Sequence, residues 1–405
     1  MSIRRLLGSG LVALTLAAFP ASAWATPKTD LVVGGLGADV TQLDPHFASN
    51  TTDRTIVSWI YSGLVRFKPG STDPSLIEAD LAEKWETSAD NLEWTFHLRP
   101  GVKWQKGKGE VTADDVVYSL KKAMNKDTSA YAGDYSAFKS VEKIDDMTVK
   151  VTLSQPMPSV LGVLANYSGG FIVHASGEPI GTGPFVVDTV NSGQSIKLVA
   201  HEDYFRGKPQ LSSVTMRFLP EVASRDLAFR AGEVDAIAGE PDKNWFNRLK
   251  AQDGVAIDVY SPAEESQLHL NINVAPLNDL RVRQAVSYAI DQSQIAAFQG
   301  EDFTQPAKSA VPSNNLGFTE ESGILGYDPE KARTLLAEAG YPDGLTIPMV
   351  SSQNPGYANL AQLVQAQLGE VGITVEMKPV EHATYHQMIR EDLSPMVIYS
   401  AARFP

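Results

Sequence analysis

The sequence predicts a mixed α/β fold divided into two or three domains. Its 405 residues well exceed the roughly 150 that one domain usually holds. Hydrophobic residues make up 43% and charged residues 20%, and the 31 glycines and 24 prolines are scattered, as in an ordinary globular protein. Segments that alternate apolar with polar residues are interspersed with segments of helical period, without strict strand-helix-strand order and without an internal repeat.

The N-terminus reads as an export signal. Arg4 and Arg5 precede the uncharged run Leu6 to Phe19, and small residues at Ala21, Ala23 and Ala25 form an A-x-A cleavage pattern, with cleavage expected after Ala25. The run is shorter than the ~20 residues that span a bilayer. Removing Arg4 and Arg5 leaves 32 basic against 48 acidic residues, a net charge of −16. Nucleic acid is not expected as a partner, because a phosphate backbone needs a basic surface. The chain has no cysteine, which excludes thiolate catalysis, a thiolate metal site and a lipoprotein anchor. The expected location is free in the periplasm.

The elements follow in order. Leu31 to Val33 is a short apolar strand ending in Gly34, Gly35 and Gly37. It is not a dinucleotide loop, since Val40 stands where a third glycine belongs and TQLDP follows in place of a helix. Between Asn91 and Trp104, Leu92, Trp94, Phe96 and Leu98 alternate with polar residues, a half-buried strand that breaks at Pro100-Gly101. Thr112 with Asp115 caps a helix whose apolar face is Val116, Leu120, Ala123 and Met124. Alternation returns at Met147 to Leu153, Ile196 to Ala200 and Val214 to Phe218. Asp279 caps a helix with Val282, Ala285, Val286, Ala289 and Ile290 on one face. Asp328, Pro329 and Gly340 bound another, and a third runs from Ala358 to Glu370 into the strand Ile373 to Met377.

No catalytic set is complete. A GxSxG elbow, an HExxH helix and a Walker A loop are all missing. His382 and His386 stand four apart, a spacing that shares one helix face, but EHATYHQMIRED is polar, so they are expected to be solvated rather than metal ligands. Adjacent acid pairs such as Asp114-Asp115 and Glu264-Glu265 point apart on a helix and read as caps or solvated faces. Among the 34 aromatic residues, Tyr167, Tyr204-Phe205 and Trp245-Phe246 lie in turn-like contexts, where rings line a pocket or, more often, staple a loop to the core. The absence of a catalytic set favours binding over turnover, and neither a cofactor nor a metal is expected.

Several strings together resemble the peptide-binding family of bacterial extracytoplasmic solute-binding proteins, family 5, which serve ABC importers. They are LAEKWETSADNLEWTFHLRPGVKW with VTADDVVYSLKKAM, GTGPF at 181–185, DYFRGKP at 203–209, AGEVDAI at 231–237, PLNDLRVRQAVSYAID at 276–291 and YDPEKARTLLAEAGYPDGL at 327–345. The resemblance implies the type II periplasmic-binding-protein fold, two lobes closing on a ligand by a hinge, with an extra domain inserted in the first lobe. It divides the chain into a signal peptide (1–25), a first lobe (26–70 and 181–268), an extra domain (71–180) and a second lobe from 269. It implies a monomer that captures short peptides and presents them to an inner-membrane ABC permease. A nickel chelate, a sugar or an opine are sibling ligands, and an exported hydrolase or a non-binding remnant are rivals.

The family is generally longer, so a chain ending at Pro405 is expected to be C-terminally truncated, short of an acidic loop that begins near Tyr399. By position, the ligand contacts implied are Asn50, Thr51 and Thr52 after the first strand and Asn166 and Tyr167 in the extra domain. Asn271 and Asn273 at the start of the second lobe and Tyr399 at the far wall complete the set. GTGPF and DLRVRQA read as packing signatures rather than contacts.

Overall fold

The computed structural model describes residues 28–402 apart from 72, 167–168, 240–241, 260–263, 303, 314 and 316. The expected signal segment, residues 1–25, lies outside the described residues. The chain opens with β1 (Asp30–Gly35) and α1 (Thr51–Ile60), then leaves for an inserted unit. That unit holds a hairpin, β2 (Val65–Phe67) with β3 (Ile77–Ala79), and the strands β4 (Ala82–Thr87) and β5 (Glu93–Leu98). It continues through α2 (Ala113–Met124), β6 (Phe138–Asp145), β7 (Thr148–Leu153) and α3 (Val160–Ala165). Its antiparallel sheet has the order β4-β5-β7-β6. Phe96, Val149 and Val151 are fully buried beneath Val116 and Leu120 of α2, the inward faces that alternation and helical period assign. The capping box forms as expected: Thr112 N donates to Asp115 Oδ2 at 2.9 Å.

The chain returns with β8 (Phe185–Asn191), β9 (Ser195–Ala200), β10 (Ser213–Phe218), α4 (Val222–Arg230), β11 (Ala236–Ile237) and α5 (Lys243–Lys250). The first sheet has the order β11-β1-β10-β9-β8, with β1 parallel to both β10 and β11. GTGPF makes the junction back from the inserted unit. A methyl group on Gly181 would lie 2.0 Å from the Ile60 carbonyl oxygen, so only glycine lets this strand cross the end of α1. The buried Gln105 pins the crossing by donating to the carbonyls of Ile60, Gly183 and Phe185 at 3.1, 3.2 and 2.8 Å.

The remaining elements are β12 (Glu264–Leu270), α6 (Leu280–Tyr288), α7 (Gln292–Gln299), α8 (Pro329–Glu338), β13 (Leu345–Ser352), α9 (Pro355–Glu370), β14 (Ile373–Val380), α10 (His382–Arg390) and β15 (Met396–Ala402). The second sheet has the order β12-β15-β13-β14, with β13 parallel to β14 and β15 and β12 antiparallel to β15. Asp279 and Asp328 cap α6 and α8 as expected, accepting from Arg281 N and Lys331 N at 2.8 and 2.9 Å. α9 starts at Pro355, ahead of the expected Ala358, because Asn354 caps it and Pro355 fits the first helical position.

Two boundaries differ from the sequence reading. Leu64 and Val65 pack in the core of the inserted unit, ahead of residue 71, because the β2–β3 hairpin draws them there. The chain also enters the second sheet at Glu264, ahead of residue 269, because β12 pairs with β15 along its whole length.

Candidate functional site

In an open α/β sheet a ligand crevice forms beyond the carboxyl ends of the parallel strands, where loops and helix N-termini converge. β1, β10 and β11 end at Gly35, Phe218 and Ile237, and β13, β14 and β15 end at Ser352, Val380 and Ala402. These two edges are the places to look for binding groups.

At the first edge the polar side chains are committed to one another. Asn50 is the N-cap of α1, with its Oδ1 accepting from Asp53 N at 2.9 Å and its Nδ2 donating to Asp53 Oδ2 at 2.6 Å. Asp53 is 1% exposed and also accepts from Thr41 N at 2.8 Å. Thr51 is exposed, and its carbonyl accepts from Thr55 Oγ1 at 2.8 Å. Thr52 is buried against Gly37, where a methyl group would meet its Oγ1 at 2.3 Å. The structure thus brings Asn50, Thr51 and Thr52 to a carboxyl edge, but Asn50 and Thr52 are occupied in building the turn itself.

At the second edge the side chains are aromatic. Tyr357 of α9, His382, Tyr385 and His386 of α10 and Tyr399 of β15 form a continuous ring cluster. Tyr357 lies 5.4 Å from His382 and 5.6 Å from Tyr385, centroid to centroid, and His386 lies 5.9 Å from Tyr399. The two imidazoles meet edge to face, with Nε2 atoms 3.1 Å apart. His382 Nδ1 is held by the Ser352 hydroxyl at 2.9 Å. Tyr385 is fully buried and donates to the Ile398 carbonyl, while the Tyr357 hydroxyl donates to the Ser400 carbonyl at 3.1 Å. Burial pushes both phenols above the ordinary tyrosine range, and the Glu264 carboxylate at the start of β12 adds to this at Tyr357. Beneath the rings a gap lined by Ser352, Tyr357, Ala361 and Tyr385 is too tight for a water molecule, so the cluster is a packed wall.

The two histidines expected to be solvated are therefore half-buried partners in this wall. The expectation fails because it weighed the polarity of EHATYHQMIRED alone, and the neighbours that cover the rings come from α9 and β15. Among the described residues no group of three or more His, Asp or Glu side chains is arranged to hold a metal ion.

The other candidates do not converge. Asn166 caps the C-terminal end of α3 and accepts from Gly170 N at 3.1 Å, and Tyr167 lies outside the described residues. Asn271 and Asn273 follow β12 at the opposite, amino edge, since Leu270 pairs with Met396 at the start of β15. Asn271 there donates to Asp392 at 2.9 Å and accepts from Asn273 N at 2.9 Å, a local turn role. Of the seven sequence-selected positions among the described residues, Tyr399 alone joins the ring cluster. The Asn50 loop is the other part of that selection at a carboxyl edge.

Trp245 and Phe246 staple α5 to Val222, Ile237, Val255 and Ile257 rather than line an open surface. A depression of about 380 Å³ lined by Lys103, Trp104, Lys106, Glu110, His201 and Asp203 lies past the end of β9, at the amino edge of β10. It is on the wrong side of the first sheet for a crevice of this kind.

Two open α/β sheets with an inserted antiparallel unit have the architecture of the type II periplasmic-binding-protein fold. Residues 77–402 match the family described as bacterial extracellular solute-binding proteins, family 5 (middle), and the chain belongs to that family. Its members are ABC-transporter solute-binding proteins and not enzymes.

The solved structure of MoaA from A. tumefaciens R10 in complex with mannopinic acid is 53% identical to this chain. It superposes with a TM-score of 0.80 and covers 93% of this chain and 79% of its own. Heme-binding protein A of Haemophilus influenzae is 33% identical over 82% of this chain, which spans 66% of that relative's length. The dipeptide-binding protein of Escherichia coli is 30% identical over 94% of this chain, which spans 76% of its length.

Proposed function

We propose that this protein is a periplasmic, monomeric binding protein that captures a small amino-acid-derived acid of the opine type and delivers it to an inner-membrane ABC permease. The observation that carries this reading is the 53% identity, over 93% of the chain, to a protein seen in complex with mannopinic acid. The sequence alone puts short peptides first and opines among the siblings, and this likeness reverses the order. Capture is by hinge closure: a solute touching both carboxyl edges stabilises the closed arrangement over the open one. The ring wall at the second edge suits a compact solute with apolar and polar faces, since tyrosine and histidine offer both.

Short peptides are the second reading, favoured by the 30% identity to the dipeptide-binding protein across 94% of the chain. Calorimetric titration of the chain with mannopinic acid and with a panel of dipeptides separates the two. Saturable heat from mannopinic acid and none from dipeptides is expected. The reverse pattern would put peptides first and overturn the opine reading.

A further inference from the structure

We propose that Glu264, Ser266 and Ser400 form a subsite for the polyhydroxylated end of the solute, at the carboxyl edge of the second sheet. The proposal rests on the opine reading above and deepens it, because it says which end of the ligand meets this edge.

Strand register builds the subsite. Glu264 and Glu265 read in the sequence as an acid pair pointing apart on a helix. Here they open β12, and the two-residue period of a strand sets them on opposite faces. Glu265 is buried and accepts from Gln267 Nε2 at 3.2 Å, which also donates to the Ala310 carbonyl at 3.0 Å. Glu264 and Ser266 share the other face. Away from the edge that face is apolar, with Leu268 and Leu270 packed on the core of the second sheet. Toward the edge it turns polar: Ser266 stands opposite Ser400 in the ladder, and their hydroxyl oxygens are 2.6 Å apart. Glu264 pairs with Ala402, the last residue of β15, so its carboxylate stands at the rim. The Tyr357 hydroxyl, donating to the Ser400 carbonyl at 3.1 Å, borders the strip.

The strip is open where the ring wall is packed. Glu264 and Ser266 are exposed and Ser400 is half-buried, and none of the three lines the tight gap beneath the rings. The Glu264 carboxylate has no hydrogen bond or ion pair among the described residues. Neighbouring atoms still shield it enough to raise its carboxyl above the ordinary glutamate range. A carboxylate shielded in this way gains from each hydrogen-bond donor a ligand brings to it.

The chemistry of the strip selects the end of the ligand. In the serine pair one hydroxyl proton is spent on the other oxygen, which leaves one O–H to donate and lone pairs on both oxygens to accept. Glu264 beside it accepts only. An alcohol both gives and takes hydrogen bonds, so a run of hydroxyls meets every position on the strip. A ligand carboxylate is repelled by Glu264, and an ammonium has no lone pair for the serine O–H. Mannopinic acid carries its hydroxyls on a sugar-derived chain, apart from its glutamate-derived acid end. N-methylglutamate keeps the acid end and the amine and lacks that chain.

The experiment is calorimetric titration of the full chain, of Glu264→Ala and of Ser266→Ala with both compounds, each variant first checked for an unchanged melting temperature. The wild-type chain is expected to bind mannopinic acid at least about tenfold more tightly than N-methylglutamate, as the loss of several hydrogen bonds requires. Glu264→Ala should raise the Kd for mannopinic acid about tenfold, the cost of losing hydrogen bonds to a charged group, and leave that for N-methylglutamate within about twofold. Ser266→Ala should raise the mannopinic acid Kd about threefold, the cost of a neutral hydrogen bond.

Equal affinity of the wild-type chain for the two compounds overturns the subsite and leaves the opine reading standing. So does a mannopinic acid Kd unchanged in Glu264→Ala, or one that rises by the same factor for both compounds, which would assign Glu264 to the amine. Absence of mannopinic acid binding by the wild-type chain overturns the opine reading and the subsite together.

Discussion

The two carboxyl edges use histidine and polar side chains in opposite ways. Behind the first edge, His46 is fully buried, its Nε2 meets the Phe171 carbonyl at 3.0 Å, and its Nδ1 has no hydrogen-bond partner among the described residues. Burial, aided by the charge of Lys122, holds its imidazole down at about 4. It is a neutral structural side chain, and the nearby Asn50, Thr41 and Asp53 are spent on one another. At the second edge His382 and His386 are only half-buried and are held by rings and one serine. A closed polar network builds the first wall, whereas an aromatic frame around a histidine–histidine contact builds the second.

The largest test of that contrast is the ring frame itself. Tyr385→Ala removes a fully buried ring wedged among Val350, Val397, Tyr357 and Tyr399. A loss of about 4 kcal/mol in unfolding free energy is expected from chemical denaturation, the usual cost of deleting a buried aromatic ring. Tyr385→Phe, which keeps the ring, should lose only about 1 kcal/mol. Equal, small losses for both would mean that the second edge is not a packed frame.

A smaller effect should come from acid. The folded protein holds His46 neutral, so below the ordinary imidazole pKa of 6.5 the unfolded chain binds the proton first. Stability from this group is complete above pH 6.5 and is lost as pH falls toward about 4, by on the order of 3 kcal/mol. His46→Gln should flatten that part of the stability-against-pH curve. An unchanged slope would move the effect to other groups and weaken the contrast between the two sets of histidines.

The smallest effect concerns the sequence-selected contact at the first edge. Asn50→Ala removes the N-cap of α1 and should cost about 1 kcal/mol in stability. Mannopinic acid affinity should change less than twofold once the fold is saturated, if Asn50 is committed to its cap. A large loss of affinity with unchanged stability would make Asn50 a ligand contact and erase the difference between the edges.

How much of this was legible before the structure depends on how far apart the interacting residues lie. Thr112 with Asp115, Asp279 with Arg281 and Asp328 with Lys331 are caps closed within three residues, and all three were readable as strings. The start of α9 was missed because Asn354-Pro355 sits directly behind a strand end and lacks an apolar stripe of its own to announce it. The His382–His386 spacing was visible, but Ser352 and Tyr357 approach from 30 and 25 positions away in the chain, and nothing near either residue marks it.

By itself, the sequence determined the mixed α/β class, the caps, the strand faces and the family resemblance, because each rests on short-range periodicity or on strings kept in order. Only the tertiary structure decided which polar residues cap an element and which pack into a ring cluster. That outcome depends on which strand ends share an edge: register sets Ser352 beside Val380 and pairs Met349 and Val350 with Met396 and Val397 of β15, nearly fifty positions on. Asn50 and His386 are both polar residues at a carboxyl edge; packing turned one into a helix cap and the other into half of a histidine–histidine contact.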